Sequence, residues 1–132
     1  MVSVTFLEKA LRTLEEAIVE YEKSPQNLLI RDGVIQRFEY SYELAIKTIQ
    51  RMLKQTAISS NLMSDLTYKE TIRLAAERGW LVSPESWFEY REARNKTSHA
   101  YSSTVASEVS QQIPLFLNSS KQLLSNLAEV EQ

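Results

Sequence analysis

The sequence predicts an all-α fold, an up-and-down four-helix bundle with one short additional helix. The 132 residues include only two glycines and three prolines, too few for the turns that β-hairpins and α/β connections need. Between Val4 and Tyr21, apolar residues recur at alternating spacings of three and four, which is typical of a helix packed in a bundle. The length and the 43% hydrophobic and 24% charged residues fit one domain over residues 1–132.

Turn and cap residues divide the first half of the chain. Ser24 and Pro25 end the first helix, and Asp32 is the expected N-cap of a longer second helix. The polar residues 59–61 predict a loop. Thr67 and Glu70 have the spacing of a capping box, so a short third helix is expected to begin there. Gly79 is the expected residue just beyond its C-terminus.

The second half of the chain predicts two further helices. Ser83 and Pro84 have the residue types of an N-cap and a first helical position, and the fourth helix follows them. Residues 103–128 carry a regular apolar stripe and predict the fifth helix. Pro114 lies inside that helix and is expected to kink it, because proline removes one backbone hydrogen bond.

Composition excludes several classes of protein. The net charge of −2 argues against a basic coat for nucleic acid, so any RNA contact has to come from a local patch. The absence of cysteine excludes disulfides and thiolate metal sites and fits a cytoplasmic protein. We see no apolar run long enough to cross a membrane and no basic leader followed by an apolar segment.

The same composition excludes several kinds of catalytic site. Two isolated glycines cannot form a phosphate-binding loop. The two aspartates, Asp32 and Asp65, are far apart in sequence, so the paired-aspartate metal site of a nucleotide-transferring enzyme is missing. One histidine without cysteine makes a zinc site a poor prediction. We therefore expect no metal and no cofactor.

Residues 94–101 carry the chemistry that remains. His99 is the only histidine and exchanges protons near neutral pH, and Arg94 offers a planar cation suited to phosphate. Together they could cleave RNA without a metal. Alternatively, Arg94 neutralises the end of the helix and His99 binds a loop carbonyl. Tyr101 is either a ligand contact or modification site, or a tyrosine packed at a helix junction.

Polar residues on the second and fourth helices are further candidates. Glu43 shares a helical face with Glu39 and with Lys47; a salt bridge within the helix is favoured over a catalytic pair of carboxylates. Lys47 begins a basic stripe that either follows an RNA backbone or stabilises a helix end; it continues through Arg51 and Lys54. Arg91, on the helical face of Trp87, joins Glu43 and Lys47 as a possible substrate contact.

Two segments resemble a known superfamily. Arg94, four further residues, His99, one residue and Tyr101 match the Arg-x4-His-x-Tyr signature of the HEPN superfamily. Residues 31–47 strongly resemble the HEPN branch labelled nucleotidyltransferase substrate-binding protein. The resemblance covers nearly the whole chain and implies a homodimeric helical bundle with a minimal nucleotidyltransferase as its partner.

The resemblance also implies a function. In related pairs the HEPN member is a metal-independent ribonuclease toxin, and its nucleotidyltransferase antitoxin can attach AMP to the tyrosine that matches Tyr101. Carried over, Arg94 and His99 are catalytic and Asn95 is a site residue. The alternative is a non-catalytic subunit that binds substrate or nucleotide for a two-component nucleotidyltransferase. A purely structural bundle is the third possibility.

Overall fold

The computed structural model describes residues 4–57 and 65–131, and within these ranges all regular structure is helical. The loop predicted at residues 59–61 lies outside the described residues. The described residues form four long helices and one short helix, as the composition predicts. They are α1 (Thr5–Lys23), α2 (Leu28–Thr56), α3 (Tyr68–Glu77), α4 (Pro84–Lys96) and α5 (Ser103–Glu131), with a 3₁₀ turn at Thr97–His99.

Helices α1 and α2 form an antiparallel pair joined by a short turn. Arg37 of α2 donates a hydrogen bond of 2.7 Å to the carbonyl oxygen of Thr13 in α1. The predicted start of α2 at Asp32 is wrong. The N-cap is Asn27, five residues earlier, and its side chain accepts hydrogen bonds from the amides of Leu29 and Ile30, which otherwise lack partners.

The boundaries of the next two helices follow the predicted caps. Thr67 and Glu70 form a reciprocal capping box at the start of α3. Gly79 follows α3 with φ of +81°, a conformation that side chains with a Cβ adopt only at a cost. The Ser83 hydroxyl accepts a hydrogen bond from the Ser86 amide, and Pro84 opens α4.

The last helix begins at the predicted residue, Ser103, and continues to Glu131, three residues beyond the predicted end. The helix continues through Pro114 without a break. Helix α5 packs against α1, α2 and α4. It therefore supplies one wall of the core along most of the bundle.

A cluster of aromatic rings joins three of the long helices. Phe116 of α5 is fully buried, and its ring lies 5.1 to 6.1 Å from four other rings, measured between centroids. These rings belong to Phe38 and Tyr42 of α2 and to Trp87 and Tyr90 of α4. Aromatic pairs at such distances add to the stabilisation from apolar burial. The cluster sets the spacing of α2 and α4, which carry the polar residues described next.

None of the helices in the described part of the chain has the length and apolar character of a membrane span.

Candidate active site

Residues 94–101 span the end of α4 and the tight connection that leads to α5. Helix α4 ends at Lys96 and the 3₁₀ turn at Thr97–His99 follows at once. The amide of Ala100 donates to the Thr97 carbonyl at 3.1 Å, and the amide of Ser102 donates to the His99 carbonyl at 3.0 Å. These bonds satisfy carbonyl groups that a helix end leaves without partners, so the turn has a defined shape.

Two neighbours hold the guanidinium of Arg94. Its Nη2 donates to Oε1 of Glu43 at 2.7 Å, and its Nη1 donates to the Thr97 hydroxyl at 3.2 Å. The Thr97 hydroxyl in turn donates to the Arg94 carbonyl at 2.8 Å. These bonds fix the orientation of the planar cation. The Arg94 side chain is 30% exposed, so solvent still reaches it. Since a guanidinium has five N–H groups, its terminal nitrogens retain hydrogens for a further acceptor.

The prediction that Glu43 pairs within its own helix is wrong. Its carboxylate binds Arg94, which is 51 residues away in sequence, and not Lys47. The packing of α4 against α2 brings the guanidinium opposite Glu43. A short charge-assisted bond to this cation is stronger than the contact that a lysine four residues away on an exposed helix provides.

His99 and Tyr101 lie at the surface of the turn. The imidazole is exposed, and its centroid is 6.2 Å from that of the Tyr101 ring in an edge-to-face arrangement. Tyr101 is 84% exposed, so it is not packed at the helix junction. Within residues 4–57 and 65–131, no hydrogen bond of the His99 side chain to a loop carbonyl is present. The imidazole is therefore accessible to a ligand.

The remaining predicted site residues line one groove between α2 and α4. Its volume is about 290 Å³, and it brings Asn95 together with the three possible substrate contacts. Two residues of the predicted basic stripe, Arg51 and Lys54, are exposed on α2 but do not line it. The groove is lined by Tyr42, Glu43, Ile46, Lys47, Gln50, Tyr68, Arg91 and Asn95.

A pair of tyrosines beneath this groove was not predicted from the sequence. The Tyr42 hydroxyl donates to that of Tyr68 at 2.6 Å, and Tyr68 donates to the Trp87 carbonyl at 3.0 Å. Burial raises the pKa of Tyr42, and the hydrogen bond to Tyr68 adds to this effect. Burial also raises the pKa of Tyr68. Both hydroxyls are therefore neutral at physiological pH, and the base of the groove carries no negative charge.

The role of Thr97 in the site was also not predicted from the sequence. It is buried and links the Arg94 guanidinium to the backbone of the turn. Its position three residues after Arg94, on the same side of a helical turn, is the only local signal of this role. In the described ranges, no group of three or more acidic or histidine side chains is arranged to hold a metal ion.

The buried tyrosine pair predicts how stability responds to high pH. An unfolded tyrosine loses its proton near pH 10, whereas Tyr42 and Tyr68 keep theirs to higher pH in the fold. Above about pH 10 the unfolded state binds fewer protons, so the free energy of unfolding falls as the pH rises. Below that pH this contribution is fully present.

Thermal unfolding followed by circular dichroism between about pH 8 and pH 11 measures this effect. We expect Tm to fall above pH 10 and the fall to be smaller in Tyr42→Phe. The exposed Tyr101→Phe is the control and should follow the parent protein. Equal slopes in Tyr42→Phe and the parent would contradict the assignment.

Comparison with known proteins identifies the family of this chain. Residues 3–129 match the family described as nucleotidyltransferase substrate binding protein like. The chain belongs to this family. The HEPN relationship expected from residues 31–47 and 94–101 is thereby confirmed.

Three relatives are similar to this chain over nearly its full length. The chain is 34% identical to a Haemophilus influenzae protein named probable ribonuclease HepT, over 98% of this chain and 94% of that protein. A solved Haemophilus influenzae structure, described as the fold of a substrate binding domain of a nucleotidyltransferase, superposes with a TM-score of 0.89 at 32% identity. It covers 96% of this chain and 99% of the other. A Thermus thermophilus structure gives a TM-score of 0.77 at 30% identity, covering 92% of this chain and 98% of the other.

Proposed function

We propose that this chain, as one domain, is a metal-independent endoribonuclease whose active site is the turn after α4. The observation that carries the proposal is the guanidinium of Arg94, oriented by Glu43 and Thr97 directly before a turn that exposes His99. The similarity to a protein named probable ribonuclease HepT supports the same class of activity.

The reaction needs two proton transfers and one stabilised charge. A base removes the proton of a ribose 2′-hydroxyl, and the 2′-oxygen attacks the adjacent phosphorus. The bond from phosphorus to the 5′-oxygen breaks, and an acid protonates that oxygen, which leaves a 2′,3′-cyclic phosphate and a 5′-hydroxyl. His99 carries a proton in this scheme, and Arg94 stabilises the negative charge of the phosphorane. Asn95 lies next to Arg94 and helps to hold the substrate.

One imidazole cannot act as base and acid in the same displacement. The protein therefore works as a homodimer in which the His99 side chains of two copies act on one phosphate. In the monomer, His99 and Tyr101 are exposed at the surface, which is what a site completed by a second copy requires.

A minimal nucleotidyltransferase partner inhibits the ribonuclease. The two proteins act in the cytoplasm, this chain as the toxin and the partner as its antitoxin. The family description links this fold to nucleotidyltransferases. The partner transfers AMP from ATP to the Tyr101 hydroxyl, which attacks the α-phosphorus and displaces pyrophosphate. Because the Tyr101 ring lies 6.2 Å from the imidazole, the added phosphate and adenosine would block access to His99.

Cleavage of a labelled single-stranded RNA in EDTA tests this function. We expect the parent protein to cut, and His99→Ala to be slower by about 10²–10⁴-fold, the usual contribution of a proton-transfer group. Tyr101→Phe is the matched control and should cut like the parent. After incubation with the partner and ATP, only the parent should lose activity. Equal rates for His99→Ala and the parent would refute the proposal.

A second function is favoured by the solved relative described as a substrate binding domain of a nucleotidyltransferase. In that case the chain presents a substrate or nucleotide to the active site of the partner, and Arg94 and His99 are ligand contacts. This function predicts a tight complex on co-purification and no cleavage of RNA in any buffer. The same EDTA assay, run beside the co-purification, separates the two functions.

A further inference from the structure

The groove between α2 and α4 lies directly beside the candidate catalytic arginine. Glu43 forms one edge of the groove and also holds the Arg94 guanidinium at 2.7 Å. A ligand in the groove and a phosphate at Arg94 would therefore be neighbours. The volume of about 290 Å³ is at the lower end of the range for small-molecule sites, so the groove suits one small ligand unit.

Four polar side chains of the groove have no polar partner among the described residues. Across residues 4–57 and 65–131, the side chains of Lys47, Gln50, Arg91 and Asn95 make no hydrogen bond or ion pair. The five ion pairs found there use other cations, namely Lys23, Arg31, Arg94, Lys96 and Lys121. Two uncompensated cations and two free amides thus face one groove whose single carboxylate is already engaged.

The base of the groove is apolar and neutral. The rings of Tyr42 and Tyr68 and the side chain of Ile46 form it, and both tyrosine hydroxyls are used within the protein. The guanidinium of Arg91 lies 4.6 Å from the centre of the Tyr68 ring. This cation–π contact holds Arg91 against the wall and leaves its N–H groups for an anionic ligand.

These features together match the chemistry of one nucleotide. Aromatic and aliphatic groups contact the face of a base, amides bond to its edge, and Lys and Arg bind phosphate. We propose that the groove binds one unpaired nucleotide of the RNA, next to the phosphate held by Arg94. Lys47 and Arg91 bind its phosphate, and Gln50 and Asn95 read its base. A base-paired nucleotide cannot enter, because its edge is already hydrogen-bonded. The inference rests on the proposed ribonuclease function for the identity of the ligand.

Fluorescence anisotropy of a short single-stranded RNA tests the groove independently of cleavage. The measurement uses full-length protein carrying His99→Ala, which keeps the RNA intact. Adding Lys47→Ala is expected to weaken binding about tenfold, the equivalent of one charge-assisted contact. Adding Gln50→Ala is expected to weaken it about threefold, the equivalent of one neutral hydrogen bond. All these side chains are exposed, so the fold should be retained.

Matched controls lie away from the groove. Lys9→Ala and Gln111→Ala remove the same side-chain types from exposed positions on α1 and α5 and should leave affinity unchanged. Equal affinities for Lys47→Ala and Lys9→Ala would overturn the inference, as would equal binding of duplex and single-stranded RNA or no binding by the parent. If groove variants weaken binding but wild-type protein never cuts RNA, the groove stands and the ribonuclease function fails.

Discussion

Replacing Phe116 with alanine is expected to lower the free energy of unfolding by about 3–5 kcal/mol. The Phe116 side chain is fully buried and contacts four aromatic rings from α2 and α4. Alanine would remove this apolar surface and leave a cavity that the surrounding rings cannot close by small movements. Chemical denaturation at neutral pH measures the change, and since domains of this kind are stabilised by roughly 5–15 kcal/mol, it should be easily detected.

The neighbouring residue supplies the control for Phe116. Leu115 is on the same helix and is 52% exposed, so Leu115→Ala should change the free energy of unfolding by less than about 0.5 kcal/mol. If the two variants lost similar amounts of unfolding free energy, the aromatic cluster would add nothing to stability beyond the effect of alanine on the helix itself.

Replacing Arg94 with alanine is expected to lower the rate of RNA cleavage by about 10²–10³-fold. Removing a group that stabilises the charge of a transition state usually has an effect of this size in enzymes. Lysine at this position should rescue little, because an ammonium cannot keep both the Glu43 and Thr97 contacts and bind phosphate in a fixed plane. The measurement is the single-turnover rate in EDTA, with circular dichroism to establish that the variants fold. The partly exposed Arg94–Glu43 pair contributes only about 0–1 kcal/mol to stability, so unfolding should not explain the loss.

The variant Glu43→Gln tests whether Glu43 orients Arg94 or transfers a proton itself. Glutamine keeps an oxygen that can accept from Nη2 of Arg94 and removes the charge. We therefore expect the cleavage rate to change by less than about tenfold, well below the contribution of a proton-transfer group. A loss as large as that of Arg94→Ala would contradict the role of Glu43 as a positioning residue.

Local chemistry made several helix boundaries predictable from the sequence. Thr67, Gly79 and Ser83 each act through atoms within three or four residues of themselves, so their roles are the same in the sequence and in the fold. The start of α2 was missed because Leu28 and Leu29 are 57% and 85% exposed. Their first turn therefore carries no amphipathic signal, and only the Asn27 cap marks it.

The sequence alone determined the helical class, most helix ends and the position of Arg94, His99 and Tyr101 in one short segment at a helix terminus. Only the packing of the helices shows that Glu43 binds Arg94 and that one groove is lined by Lys47, Gln50, Arg91 and Asn95. The two kinds of feature differ in the sequence distance over which their interactions act. Helix periodicity and capping depend on neighbours within one or two turns, whereas a contact between α2 and α4 depends on how the aromatic core rotates and spaces the two helices.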